Sequence, residues 1–448
     1  MQQLNKSATD FIDTVLAQIK YKKVHNTIAE ELNSHINELA EDYMTEGIKE
    51  EEAFCKAVSQ MGNPTEIGRR LHKTHKPKPE WSIMLLLGAI VGYGLYIISI
   101  YSSVYLDSES FYNQVFFAAV GICVLVFCYF FDYTRLERYS LPVYFLTCVL
   151  LLLSIFFGIN RIGGAYILIL GFRFTLSLMT IPILLVCYAG LIKKWCDGDI
   201  KNMLKLISAS VLPLFLILLE PSFLNMLITG TGIFAMLTFS IYSSNYKGKK
   251  RITLLIIYGS MCVAIVLLIS CLFGSPYIFI ERLTAFVNPQ IDPQGFGYTN
   301  IVLDKILSSS KLIGNSTSLD TYGSGNSPYH LPCSSTEFIF TFVVGQLGWI
   351  FGLLLITLLC LSIFRLFAAS SKITHEYGKY LSVGICCVFS IQIILNVLMN
   401  FGLCPILGVS LPFFSYGGAS YLLNMTLLGL FLGIYRRKDI LNPKSKVD

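Results

Sequence analysis

Two polar stretches carry the residues able to do chemistry in a chain that is otherwise largely apolar. The first runs from about Pro276 to Thr336. Its core reads Arg282-Leu-Thr-Ala-Phe-Val-Asn-Pro-Gln-Ile-Asp-Pro-Gln-Gly-Phe-Gly-Tyr298. Loops beyond about 12–15 residues are mostly functional or disordered. The Asx-Pro turn signals at Asn288-Pro289 and Asp292-Pro293, with Gly295 and Gly297, predict a defined shape. The stretch ends at Thr336-Glu-Phe-Ile-Phe340, where an apolar run begins. Glu337 there is an acid at the start of the run, as the positive end of a helix favours.

The second stretch is Gly402-Leu-Cys-Pro-Ile-Leu-Gly-Val-Ser-Leu-Pro-Phe-Phe-Ser-Tyr-Gly-Gly418, with two prolines and four glycines that cannot continue a helix. Non-helical backbone at membrane depth is tolerated only where protein or a wet cavity satisfies it. The segment is therefore expected to re-enter or to line a cavity. Ser415 and Tyr416 offer hydroxyls, and Gly417-Gly418 offer N–H groups suited to a phosphate. The alternative is a tight turn whose glycines let two helices approach.

These stretches need a scaffold, and composition says which kind. Of 448 residues, 54% are apolar and 14% charged, and the mean hydropathy is +0.63. Soluble classes are excluded. Apolar runs long enough to cross a bilayer, about 20 residues, give ten candidate spans: 82–102, 113–131, 140–158, 173–192, 203–219, 223–243, 252–274, 337–364, 380–402 and 417–435. Joints after even-numbered spans carry Arg135 and Arg138; Lys193, Lys194 and Lys201; Lys247, Lys249, Lys250 and Arg251; Lys372 and Lys379; and Arg436, Arg437 and Lys438. Joints after odd-numbered spans are poor in Lys and Arg. By the positive-inside rule both termini are cytoplasmic, and the 276–336 and 403–416 loops lie outside. The net charge of +6 then reflects anchoring of cytoplasmic loops, and no nucleic-acid partner is expected. The thirteen cysteines lie mostly in apolar runs, with no CxxC pair and no metal-ligand spacing. Cys333 and Cys404, both in outer segments, read as a pair or as free thiols. His330 reads as a surface histidine.

Residues 1–80 differ from the rest. Phe11, Val15 and Ile19, then Ile28, Leu32, Ile36 and Leu39, recur at helical spacing. Gly47 can end the second helix, Glu50-Glu-Glu52 can start a third, Gly62-Asn-Pro64 stops it, and 67–71 reads as a short fourth. No signal-peptide pattern is present. The fold class expected is all-α: a polytopic membrane protein with about ten transmembrane helices over 81–448, preceded by a small soluble helical domain and basic linker over 1–80.

Glu30-Glu-Leu-x-x-His-Ile36, Glu41-Asp-Tyr-Met44 and Ala57-Val-x-x-Met-Gly-x-Pro64 resemble the permease-prefix domain found ahead of some bacterial membrane proteins. Ser410-Leu-Pro-Phe-Phe-Ser-Tyr-Gly-Gly-Ala-Ser420, with Asn396 upstream, resembles the closing signature of the SEDS family (FtsW, RodA and SpoVE). Arg282, Ala285-Phe286, Asn288-Pro289, Asp292-Pro293, Gly295, Gly297 and Tyr298 match the family's outer loop, and Asp132-Tyr133 fits it too.

The resemblance implies a peptidoglycan glycosyltransferase of the bacterial plasma membrane, acting in division, elongation or sporulation. It would polymerise lipid II into glycan and release undecaprenyl pyrophosphate, beside a class B penicillin-binding protein. It implies Glu337 as general base, in place of the family's aspartate. It implies Arg282, Asn288, Asp292, Tyr298, Thr336, Asn396, Ser415, Tyr416, Gly417 and Gly418 as substrate-binding. No cofactor is implied; a divalent cation at the pyrophosphate is compatible with the chemistry. Five departures stand out. Glu337 reaches one methylene further than aspartate. Leu331-Pro-Cys333 replaces Leu-Pro-Glu, and 308–315 replaces a glycine-rich stretch. Thr175-Leu-Ser-Leu178 replaces Gln-Pro-Ser-Glu, and Glu220-Pro-Ser-Phe-Leu-Asn225 replaces Gln-Pro-Asp-Leu-Gly-Thr. They keep two alternatives open: a non-catalytic regulator or scaffold binding the precursor, or a precursor transporter.

Overall fold

Apolar residues at helical spacing fold the N-terminal stretch into α1 (Lys6–Ala17), α2 (His25–Thr45), α3 (Glu50–Met61) and α4 (Pro64–His75). The computed structural model describes residues 6–22, 25–75, 79–161, 164–169, 172–196, 198–220, 222–243, 246, 248–259, 276–316 and 330–438. Phe11, Val15, Ile28, Ile36 and Ala57 form a shared core. Gly47 takes a left-handed φ of 88° after α2, as a helix C-terminus favours. The fourth helix is longer than the 67–71 expected. The Asn63 Oδ1 accepts the Thr65 N–H at 3.0 Å, and Pro64 suits the first helical position. Met1–Pro79 with Tyr435–Asp448 make one compact unit, and Glu80–Ile434 make a second.

The second unit is built from α5 (Trp81–Tyr105), α6 (Ser108–Phe130), α7 (Thr134–Arg138), α8 (Ser140–Phe157), α9 (Leu176–Trp195), α10 (Ile200–Leu219) and α11 (Phe223–Tyr242). A helical stretch, α12 (250–259), follows. Then come α13 (Pro276–Val287), α14 (Tyr298–Ser309), α15 (Ile339–Leu347), α16 (Trp349–Ser370), α17 (Glu376–Asn400) and α18 (Gly418–Arg436). Nine helices among the described residues are long and apolar enough to cross a membrane. The protein is an all-α polytopic membrane protein. Most of the seventh expected span, 260–274, lies outside the described residues. α9 and α18 are the most enclosed of the nine. Leu85, Phe127, Phe156 and Phe364 stay exposed, as a lipid-facing surface requires.

Two features depart from the expected spans. The fourth span does not begin as helix at 173: Phe172–Thr175 is a strand, β3, in an antiparallel sheet with β1 (Ile159–Arg161) and β2 (Gly164–Ile169). Tyr166 pairs with Thr175, and Ile169 with Phe172. The Phe-Arg-Phe-Thr alternation suits a strand. The eighth span, expected unbroken over 337–364, is divided at Gly348 into α15 and α16. Gly348 has φ 103°, which only glycine adopts easily. A Cβ there would lie 2.5 Å from the Leu312 carbonyl oxygen. The 311–316 backbone fills the break: Gly314 N–H donates to Leu347 O at 2.9 Å, Ser316 N–H to Gly345 O at 2.7 Å, and Trp349 N–H to Lys311 O at 3.0 Å. The kink is thus caused by chain inserted against the helix ladder.

Candidate active site

Glu337 sits in a turn immediately before α15, not inside a helix. The turn winds around one carbonyl. The Cys333 oxygen accepts the N–H groups of Thr336 at 3.1 Å and Phe338 at 3.2 Å, and the Thr336 hydroxyl at 3.2 Å. Cys333 itself has φ 50°. Phe338 is buried and anchors the turn, leaving the Glu337 side chain half-buried. Burial raises the Glu337 carboxyl above the usual glutamate range, because the charged form loses hydration. Burial and the neighbouring Glu337 carboxyl together push the Cys333 thiol up. Cys333 and Cys404 are both free thiols.

The backbone of Glu337 is held by two asparagines one turn apart on α17. Asn396 Nδ2 donates to Glu337 O at 2.8 Å and to Val409 O at 2.6 Å. Asn400 Nδ2 donates to Glu337 O at 3.2 Å and to Asn396 Oδ1 at 3.1 Å. Asn400 Oδ1 accepts the Thr341 hydroxyl at 2.7 Å. Both side chains are fully buried. Asn396 therefore ties together the Glu337 turn and the 403–417 segment through its donors.

That segment is non-helical and packed among helices, as its prolines and glycines require. Tyr416 N–H donates to Ser335 O at 2.9 Å, fixing the segment to the Glu337 turn. The Phe414 ring meets Tyr93 of α5 edge-on at 5.3 Å. Ser415 Oγ is buried and accepts the Leu411 N–H at 2.9 Å, closing a local turn. Gly408, at φ 76°, lies directly against the acid: a Cβ there would be 3.2 Å from Glu337 Oε1. Gly417 is open around its Cα, whereas Gly418 packs against the Phe117 ring of α6. The two glycines thus serve different ends, the second a close approach of helices.

Thr336, Glu337, Asn396 and Tyr416 lie in one hydrogen-bonded assembly, and Ser415 pins the turn beside it. The other expected residues act within the long loop. Asn288 Oδ1 accepts Gln290 N–H at 3.2 Å, starting the 3-10 turn Pro289–Ile291. Asp292 accepts Gly295 N–H at 3.0 Å and Phe296 N–H at 2.8 Å. The Tyr298 hydroxyl donates to His330 O at 3.0 Å. The Arg282 side chain lies outside the described residues. Among the described residues no three His, Cys, Asp or Glu side chains gather as a metal site.

Next to Gly408 lies a chamber of about 180 Å³. Its polar lining is Thr175 at the start of α9, Asn225 of α11, Gln392 of α17, Ser410, and Ser420 and Asn424 of α18. Asn225, Gln392 and Asn424 are at most 6% exposed. Sequence reading did not single out Asn400, Gly408 or these amides as site residues. One signal was present: Gln392, Asn396 and Asn400 recur every four residues in an apolar helix, which puts three amides on one face.

Glu220 occupies the joint between α10 and α11. It is fully buried, and neither carboxyl oxygen has a hydrogen bond of good geometry within the protein. Burial raises its pKa to about 7, and the nearby Ser177 hydroxyl and amide only temper the rise. Between the unfolded value, about 4.3, and about 7, the unfolded chain sheds the proton while the folded chain keeps it. Stability therefore falls as pH rises through that window and is level above it, a loss of about 4 kcal/mol. Thermal unfolding between pH 5 and pH 8 is expected to show this decline in wild type and a flatter profile in Glu220→Gln. Equal slopes would mean that Glu220 is ionised and solvated in the folded protein.

Residues 79–440 match the profile of the cell cycle proteins FtsW, RodA and SpoVE. This chain belongs to that family. It is 27% identical over 363 residues to a probable peptidoglycan glycosyltransferase FtsW of Trichlorobacter lovleyi, covering 79% of this chain and 92% of the relative. It is 26% identical over 378 residues to stage V sporulation protein E of Bacillus subtilis, covering 81% and 98%. Among solved structures, a chain of a peptidoglycan synthase complex superposes with TM-score 0.64 at 21% identity, covering 80% of this chain and 98% of that one. The rod shape determining protein RodA of Thermus thermophilus superposes with TM-score 0.57 at 18% identity, covering 80% and 97%. The FtsW/RodA/SpoVE fold is thus shared, while the glutamate at 337 and the neutral chamber are described by this chain's own residues.

Proposed function

We propose that this protein is a peptidoglycan glycosyltransferase that polymerises lipid II at the outer face of the bacterial plasma membrane, with Glu337 as general base. The observation that carries the reading is a half-buried carboxyl held through its backbone by Asn396 and Asn400, beside a polar chamber among apolar helices. Family membership and the named activity of the FtsW relatives support it.

In this reading the 4-hydroxyl oxygen of one sugar attacks the anomeric carbon of a lipid-linked donor. Glu337 accepts the hydroxyl proton as the new C–O bond forms. The bond from the anomeric carbon to the phosphate oxygen breaks, and undecaprenyl pyrophosphate leaves with the electron pair. N–H donors and cations would receive that charge; the Gly417 amide and Arg282 are the candidates. The polyprenyl tail would stay among the lipids. Both termini would be cytoplasmic, with residues 1–80 a soluble control or docking module. A class B penicillin-binding protein is the proposed partner, in keeping with the synthase complex among the structural relatives.

The departure at Cys333 favours a second reading, a scaffold that binds the precursor without reacting it. Labelled lipid II incubated with the purified full chain, alone and with a class B partner, separates the two. Polymer is expected in at least one condition. Bound lipid II without polymer in either would support the scaffold, and movement of precursor across sealed vesicles without polymer would support a transporter.

A further inference from the structure

The chamber beside Glu337 has a lining unsuited to a pyrophosphate. Its six polar residues are amides and hydroxyls, and no charged side chain lines it among the described residues. A pyrophosphate would bring charge into a space with no cation to meet it, and charge drawn from water unpaired is penalised heavily. Uncharged groups that both donate and accept hydrogen bonds suit such a lining. Asn424, one of the lining residues, is only 2% exposed, and its Oδ1 is buried without a hydrogen-bond partner in the protein. Buried amide oxygens are nearly always paired, so turning this side chain toward a donor on an occupant would gain a hydrogen bond without breaking one to the protein. Leu178, Leu224 and Ile228 supply an aliphatic wall, which complements the C–H face of a sugar ring. At about 180 Å³, the space is smaller than the roughly 300–1,000 Å³ of sites for drug-sized molecules, and so fits a single ring. Gly408 joins it to the reacting centre, because this residue lines the chamber and presents no side chain toward Glu337 Oε1.

We propose that this chamber seats one uncharged N-acetylated sugar ring of the lipid-linked substrate, with Asn225, Gln392 and Asn424 as specificity-determining residues. The proposal rests on the glycosyltransferase reading above and adds the division of the substrate: sugar in the amide chamber, pyrophosphate outside it.

The test is binding to the full chain in lipid nanodiscs, with no turnover required. The two probes are undecaprenyl pyrophosphate and the same lipid carrying the disaccharide, both without stem peptide. Wild type is expected to prefer the sugar-bearing lipid. Asn424→Leu and Gln392→Leu are each expected to weaken that lipid tenfold or more and to leave the bare pyrophosphate within twofold. Asn424→Leu should keep the wild-type melting temperature without ligand, since the oxygen it removes has no partner in the protein. Ser420→Ala provides a milder second variant, expected to weaken the sugar-bearing lipid alone, by a few-fold. Equal weakening of both lipids, or of neither, would overturn the assignment while leaving the glycosyltransferase reading intact. Failure of wild type to bind the sugar-bearing lipid in any form would remove both.

Discussion

Glu337→Gln is expected to abolish glycan polymer while leaving the protein folded. A positioned general base contributes about 100- to 10,000-fold, and the amide cannot take the proton. The fold should survive because the contacts that hold this residue are made by its carbonyl oxygen, to Asn396 and Asn400, and the substitution leaves them in place. The neutral amide also avoids the desolvation that raises the glutamate's pKa. With that pKa raised, the ionised base appears only as pH rises past the ordinary glutamate range. Wild-type turnover should therefore climb through a correspondingly raised acid limb. The same shift makes ionisation of Glu337 destabilising, so the variant should melt no lower than wild type on the alkaline side. Glu337→Asp withdraws the carboxyl by about one methylene, and a misplacement of about 1 Å can cost about 100-fold. Lipid II polymerisation across pH by the three proteins is the measurement. Equal polymer from wild type and Glu337→Gln would leave another group as base.

The long helices were legible because a bilayer-length apolar run has few other fates, and the turn at Asn288–Gly297 because Asx-Pro and glycine act locally. What escaped depends on contacts distant in sequence. Gly348 sits in an apolar run where a glycine is usually tolerated, and only the 311–316 backbone pairing with Gly345 and Leu347 makes it a break. Glu337 was legible as an acid at the start of a run. Its turn was not, since that depends on the Cys333 carbonyl and on asparagines some sixty residues later. Asn396 was noticed through the family signature and expected to touch substrate. Its donors hold two backbone carbonyls. The chamber was illegible in any one segment, because its amides come from α11, α17 and α18 and meet only when the bundle closes.

That placement makes Asn396 the residue whose loss should matter most after Glu337 itself. Asn396→Ala leaves the Val409 carbonyl without its amide donor and the Glu337 carbonyl with Asn400 alone. One buried carbonyl left unpaired costs about 1–3 kcal/mol, so a stability loss of about that size is expected. Asn396→Asp should be at least as damaging, since a carboxylate would face two carbonyl oxygens with no hydrogen to offer. A stability loss alone would not separate placement of the acid from general support of the fold. The rate does. At temperatures well below melting, kcat should fall about 100-fold if the acid moves by about 1 Å, while KM for the lipid-linked substrate changes little. Combined with Glu337→Gln, Asn396→Ala should cost almost no further rate, because residues acting as one unit are strongly non-additive. If instead the two losses multiply, Asn396 supports catalysis through the 403–417 segment, by way of Val409, and not by holding the base.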